Sequence, residues 1–311
     1  MKNSSLSLKA PAKINWFLKV YGLRNDGYHG IKSLIQKITL YDVLVFAPSE
    51  DLTLITDLSR SDRFRQIPIE QNLVYKAAVL LKKECEVDVG AEIRLYKNIP
   101  VSAGLGGGSS DAALTLVGLN ELWSLGLSIK ELCAFAERLG SDVPFFLHGA
   151  LALVEGRGEK ITPLKAVKPF DILLVKPPIS VSTRWVYNSY KSQDFGELSR
   201  TAASCKLKNK KNSKLITHHS SLSLRGLTNR AYNTDNIEHF IHINDLESVT
   251  VKKFPVIADI KRRLLREGAV FSMMSGSGPS VFGVFNSAEK AKDTSKVFKD
   301  CWTAVVKTIT D

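Results

Sequence analysis

No apolar run in the chain approaches the roughly 18 to 20 residues that a bilayer-spanning helix needs, so no membrane partner is expected. Met1 to Lys13 lacks the apolar stretch of a secretory signal, which predicts that the chain is not exported. Cysteine is scarce: Cys85, Cys133, Cys205 and Cys301 stand far apart, with no CxxC and no Cys/His grouping. That spacing argues against a disulfide framework or a thiolate metal site and predicts free thiols in a reducing cytoplasm. No fixed-period repeat is present. Acidic residues form no cluster of the kind that builds a protein-made Mg²⁺ cage.

What is present is the composition of a globular protein: 311 residues, 44% hydrophobic and 24% charged. That length permits one large domain or two ordinary ones. The net charge of +12 invites a nucleic-acid reading, but its distribution argues against one. Between Lys191 and Arg230 nine Lys/Arg face two acids, so seven of those charges sit in one Ser- and Asn-rich stretch. Such a stretch reads as a basic insertion, about 191–230, rather than a folded groove. The remaining mild positive balance suits a protein that handles phosphorylated ligands.

The first clear element is a strand over Leu8–Val20, where Ile14, Trp16, Leu18 and Val20 alternate with Lys13, Asn15, Phe17 and Lys19. Period two places Lys13 and Asn15 on one face, opposite the apolar set, as in a half-buried strand. Asn25-Asp26-Gly27 reads as a turn. Further strands are predicted at Val43–Ala47, Ala91–Tyr96, Ala150–Val154, Ile172–Val175, Val270–Met274, Val281–Phe285 and Thr303–Lys307. Helices are predicted at Ser109–Trp123, Ser128–Leu139, Ile257–Arg266 and near Ala288–Lys299. The second of these opens on a Ser-x-x-Glu capping box, Ser128 and Glu131, and stops at Gly140. Strands and helices mix without regular βαβ alternation, which predicts an α+β fold in two lobes with a boundary near residues 158 to 170.

The most informative segment is Pro100–Ala113, with four glycines in five positions, Gly104, Gly106, Gly107 and Gly108, around Leu105. Glycines tolerate positive φ and leave no Cβ in the way of a ligand. Successive backbone N–H groups can then form an anion-binding nest, to which the helix that follows adds its N-terminal dipole. Ser109 and Ser110 add hydroxyls for phosphate or a metal ion. The segment is not a Walker A loop, because no Lys-Ser/Thr follows the last glycine. Nor is it a dinucleotide fingerprint, since Ser109 stands where a third glycine belongs.

Other pieces are ambiguous alone. Pro11–Asn15 could be an exposed strand face, Asp26–His29 a surface hairpin, and Asp142 a turn aspartate. Ser275–Gly283 could be an ordinary hairpin or a second wall of the phosphate site. Together, PAKIN (Pro11–Asn15), DGYH (Asp26–His29), GLGGGSSDAA (Gly104–Ala113), GSDVPFF (Gly140–Phe146), NDLE (Asn244–Glu247) and SGSGPSVFG (Ser275–Gly283) resemble, in order and chemistry, the GHMP kinase family. Within it, DGYH and the long glycine motif resemble the branch that acts on a cytidine-diphosphate-linked methylerythritol.

The resemblance implies a two-lobed GHMP kinase fold, with an ATP-binding domain over 1–163 and a C-terminal domain over 164–311 carrying the basic insertion. It implies ATP and Mg²⁺ as cofactors and a small-molecule substrate, with a monomer or weak homodimer working in the cytoplasm. Asp142 matches the family's catalytic aspartate, with Lys13 beside it and Asn15 holding the substrate's hydroxyls. Gly104 to Gly108 with Ser109 and Ser110 match the phosphate loop, one of the serines touching Mg²⁺. Asn72 and Lys97 are further nucleotide-side candidates. Tyr28 and Tyr187 would lie on opposite faces of the cytosine, with His29 reading its edge. A kinase acting on homoserine or mevalonate is the nearer alternative, although it would leave DGYH without a purpose. A basic nucleic-acid-binding module is the remote one.

Overall fold

The computed structural model describes residues 5–58, 67–166, 168–190 and 243–310. The basic stretch Lys191–Arg230 and Cys205 lie outside them. Two long strands, β1 (Leu6–Leu23) and β2 (His29–Ser49), form an antiparallel hairpin that organises the larger sheet. The tip is the expected turn: Gly27 takes φ +80°, and the Asp26 carboxylate accepts from Tyr28 N–H at 3.1 Å. β3 (Leu52–Asp57) pairs in parallel with β4 (Gly90–Tyr96), which joins β2 in antiparallel fashion. β5 (Leu151–Gly156) and β6 (Lys160–Leu164) extend the sheet on the other side. β6 lies within the stretch, residues 158 to 170, where the domain boundary is expected.

Helices α1 (Leu73–Glu84), α2 (Gly107–Leu122) and α3 (Ile129–Leu139) pack together beside this sheet. The Ser128–Glu131 capping box opens α3 as its sequence requires. α2 comes close enough to β2 that a side chain at Gly118 would lie 2.5 Å from the Phe46 ring. The smaller sheet is antiparallel, in the order β10 (Trp302–Lys307), β7 (Asp171–Lys176), β9 (Val281–Phe285), β8 (Phe271–Met274). α4 (Thr183–Ser189), α5 (Glu247–Lys253), α6 (Val256–Arg266) and α7 (Ala288–Ser295) accompany it, the last ending four residues short of expectation.

β1 departs from its predicted pattern in two ways. The alternation assumes an unbroken strand, but the register against β2 shifts between Asn15 and Phe17, leaving Trp16 as an extra residue. A bulge of this kind moves every later side chain to the other face. Ile14 and Trp16 therefore join the core shared with the smaller sheet, whereas Leu18 and Val20 join the helical core. Nor is the strand half-buried, since Lys13 and Asn15 are only 4% and 3% exposed. One face of β1 lies against the second sheet and the other under α2 and the phosphate segment.

Candidate active site

The Pro100–Ser109 segment, β1 and the turn after β8 converge on one cavity of about 1360 Å³. Its phosphate-facing wall follows from the glycines. Gly104 and Gly106 take φ of +75° and +72°, and Gly106 is the N-cap of α2. Gly107, Gly108 and Ser109, the first residues of α2, line the cavity with the unpaired N–H groups of a helix start. No side chain could replace Gly104 or Gly106 cheaply. A Cβ at Gly104 would lie 2.3 Å from the Ser275 carbonyl, and one at Gly106 would lie 2.9 Å from Lys13 Cγ. Leu105 is buried, and its carbonyl accepts from Lys13 N–H at 2.9 Å, which pins the loop to β1. Ser110, paired with Ser109 at the sequence level, is fully buried and outside the cavity wall.

Lys13 reaches the cavity from β1. Its ammonium donates to Asn15 Oδ1 at 2.7 Å and stands 3.9 Å from Asp142 Oδ2. Asn15 is oriented in turn by Ser33, which accepts from its amide at 2.8 Å and donates to the Phe17 carbonyl. Burial lowers the Lys13 pKa below the usual lysine value, and Asp142 opposes that shift. Asp142, between α3 and a 3₁₀ turn at Pro144–Leu147, keeps 40% of its side chain exposed and lines the same cavity.

Asn72 and Lys97 also reach the wall, each already engaged. Asn72 caps α1 by accepting from Val74 N–H at 3.0 Å. Lys97 is clamped between two buried carboxylates, Asp42 and, at 2.6 Å, Asp111. Burial pulls the Lys97 pKa down, but the two carboxylates outweigh it and hold the ammonium above its usual range. Burial pushes Asp111 up to about 7 against the pull of Lys97. Asp42 also accepts from the N–H groups of Asn98 and Ile99, fixing the chain that leads into the glycine loop. Neither aspartate was legible as a site residue in the sequence, because the pairings cross 55 and 14 residues.

A second group of side chains lines the same cavity. The His29 ring lies 6.0 Å from Tyr187, tilted by 31°, and 6.1 Å from Tyr190, edge to face. His29 Nδ1 is 3.0 Å from the Tyr21 carbonyl, which must be a hydrogen bond donated by the ring. Neutral His29 therefore presents Nε2 as an acceptor. Tyr28 is 53% exposed, with the Arg157 guanidinium 5.6 Å from its ring centre. Arg157 and Arg184, both on the cavity wall, were missed by sequence reasoning. The signal available for Arg157 was its place between two glycines, Gly156 and Gly158, both with positive φ.

A model for the N-terminal domain of GHMP kinases matches residues 72–150, and one for the GHMP kinase C-terminal region matches 227–302. A 4-diphosphocytidyl-2-C-methyl-D-erythritol kinase of Thermodesulfovibrio yellowstonii is 42% identical over 308 residues, covering 98% of this chain and 99% of that protein. The chain belongs to this kinase family. The enzyme of the same name from Geobacter metallireducens is 39% identical, with 94% and 93% of the two chains covered. A crystal structure of 4-(cytidine 5'-diphospho)-2C-methyl-D-erythritol kinase superposes with a TM-score of 0.72 at 30% identity, over 97% of this chain and 99% of that one. A homoserine kinase from Cytophaga hutchinsonii superposes at 0.69 with 20% identity, over 100% and 96% of the two chains, a likeness of fold alone. Membership of the family makes the chain an ATP-dependent small-molecule kinase with the expected α+β GHMP fold. No helix among the described residues is long and apolar enough to cross a membrane.

Kinases of this kind need a divalent ion to offset phosphate charge. Among the described residues no three His, Cys, Asp or Glu side chains converge on a metal site. The donors present fit an ion held chiefly by nucleotide phosphates and water, with Ser109 the hydroxyl of the pair on the cavity wall.

Proposed function

We propose that the chain transfers the γ-phosphoryl group of ATP to the 2-hydroxyl of 4-diphosphocytidyl-2-C-methyl-D-erythritol, a step of the non-mevalonate route to isoprenoids. The observation that carries this reading is the shared cavity. Lys13 and Asp142 face the glycine loop within the same space that Tyr28, His29 and Tyr187 line. A homoserine or mevalonate kinase has no base to place against that second group.

In this reading the phosphates lie against the backbone of Gly104 to Gly108 and the Ser109 hydroxyl. Mg²⁺ neutralises charge on the phosphates when bound. Asn15, held by Ser33, aligns the erythritol hydroxyls, and alignment is the larger part of what phosphoryl transfer asks of a protein. Asp142 takes the proton of the attacking hydroxyl. Lys13, charged because it faces Asp142 and phosphate, stabilises the negative charge that builds up in transfer. At the other group, Tyr28 and Tyr187 cover the two faces of the cytosine. The exocyclic amine of cytosine donates to His29 Nε2, whereas uracil would oppose a carbonyl to that acceptor. Arg157 and Arg184 supply positive charge for the diphosphate.

The proposed working unit is a monomer or a weak homodimer. The free thiols Cys85, Cys133 and Cys301 support a reducing compartment, the cytoplasm. The test is ADP release with the cytidine substrate, its uridine analogue, homoserine and mevalonate in parallel. Turnover of the cytidine substrate, with a much weaker uridine analogue, supports the assignment; preference for homoserine or mevalonate removes it.

A further inference from the structure

One motif has no part in the chemistry above: the adjacent pair Asn244–Asp245 that opens NDLE. The chain here adds a short parallel pairing to β1, with Leu18 N–H bonding to the Ile243 carbonyl and Asp245 N–H to the Leu18 carbonyl. The two side chains then reach different parts of the site.

Asn244 is 7% exposed and its amide is fully used. Its Nδ2 donates to the carbonyls of Met274 and Gly276, at 2.9 and 2.7 Å, and its Oδ1 accepts from Leu246 N–H at 3.1 Å. It thereby shapes the turn after β8. Gly276 in that turn, at φ +56°, lies so close to Lys13 and Asn15 that a Cβ there would be 3.3 Å from Lys13 Nζ and 3.6 Å from Asn15 Oδ1. The same turn meets the phosphate loop, where Ser275 Oγ donates to the Gly104 carbonyl at 3.0 Å. Thr250 on α5 gives the turn a weaker second hold: its hydroxyl donates to the Leu246 carbonyl at 3.0 Å and lies 3.4 Å from the Ser277 carbonyl.

Asp245 faces the other way. Its carboxylate accepts from Val20 N–H at 2.8 Å, pairs with Lys19 at 3.2 Å, and accepts from the Tyr190 hydroxyl. Tyr190 stands edge-on to His29 and three residues beyond Tyr187. Asp245 thus ties β1 to the end of α4, the helix that carries Tyr187.

We propose that Asn244 and Asp245 are positioning residues with separate targets: Asn244 sets the transfer geometry at Lys13, and Asp245 sets the pocket for the base at His29 and Tyr187. The inference rests on the functional reading above. A donor amide is required at Asn244, because a carboxylate would replace Nδ2 with an oxygen that faces both carbonyls, its other oxygen still accepting from Leu246 N–H. Misplacing reacting groups by about 1 Å costs on the order of a hundredfold in rate. Asp245 stands apart from the transferred phosphate, so its loss should act on binding of the cytidylyl substrate.

Steady-state kinetics of the full chain with ATP and the cytidine substrate test this, using Asn244→Asp, Asp245→Asn and Thr250→Val, with thermal melting as the check on folding. Asn244→Asp should lower kcat by about a hundredfold while leaving KM for the cytidine substrate within about threefold. Asp245→Asn should raise that KM by about tenfold and leave kcat and KM for ATP within about threefold. Thr250→Val, which keeps the size of the side chain, should lower kcat in the same direction by less, and decides the matter if Asn244→Asp does not fold. Unchanged kinetics would overturn the inference, as would losses in kcat and in both KM values that simply follow the melting temperature. Wild type that does not phosphorylate the cytidine substrate would overturn the functional reading, and the inference with it. Wild-type turnover with insensitive variants would overturn the inference alone.

Discussion

Lys13 carries opposed demands: it must be charged to act on phosphate, yet it is buried. Burial lowers its pKa, and Asp142 at 3.9 Å restores only part of the loss. The cation is present below that pKa and disappears above it. The profile of kcat/KM, which reports the free enzyme, should therefore fall on its alkaline side below the ordinary lysine value of 10.5. A fall-off at or above that value would contradict the assignment. Asp142→Asn should lower kcat by at least about a hundredfold, yet melt like the wild type because 40% of the Asp142 side chain is exposed. Both residues were legible in the sequence only through the company of other motifs. The pattern did put Lys13 and Asn15 on one face of a strand. It could not show that this face is buried, nor that a bulge at Trp16 sends Leu18 and Val20 to the same side. The burial depends on packing under α2 and the phosphate segment, the bulge on pairing with residues some twenty positions away on β2.

Elements differ in how far local sequence determines them. The start of α3 is written in four residues, and Ser128→Ala should cost about 1 kcal/mol in a denaturation experiment without changing kcat. The glycine loop is also local, since positive φ at Gly104 and Gly106 favours glycine whatever lies around it. What the sequence could not show is that Gly104 also needs its missing Cβ, because the Ser275 carbonyl occupies that space 171 residues later. Gly104→Ala should strain the backbone and part the two turns, raising KM for ATP by about tenfold or more; steady-state kinetics with varied ATP check this. Of the Asp42–Lys97–Asp111 cluster behind the loop only Lys97 was a candidate in the sequence; the two aspartates were not, since their pairings reach across 55 and 14 residues. The first half of β2 was similarly hidden. β2 pairs with β1 along one edge and with β5 and then β4 along the other, and its register against β1 shifts between Ile38 and Tyr41, so its pattern follows no single period.

At the scale of the whole molecule the two sheets do not fold over separate cores. Trp16 from the larger sheet is fully buried among Phe170, Phe271 and Phe282 of the smaller one, with ring centres 5.4 to 6.5 Å away. Its indole N–H donates to Gln36, whose amide donates to the Ile309 carbonyl just past β10. Thermal unfolding of the full chain should accordingly be one transition rather than two, and Trp16→Ala should destabilise all of it by about 3 to 5 kcal/mol. The α+β class and the kinase type were readable from ordered motifs. The joint core was not, because it is made of residues more than 150 positions apart. That joint core holds a phosphate wall and a base pocket in a single cavity, which is the centre of the functional account. The most direct test is ADP release by the wild-type chain and Asp142→Asn, with ATP and 4-diphosphocytidyl-2-C-methyl-D-erythritol. The account predicts one ADP and one 2-phosphorylated product per turnover in the wild type, and loss of both in the variant. ADP release that does not depend on the cytidine substrate, or near-normal turnover by Asp142→Asn, would contradict it.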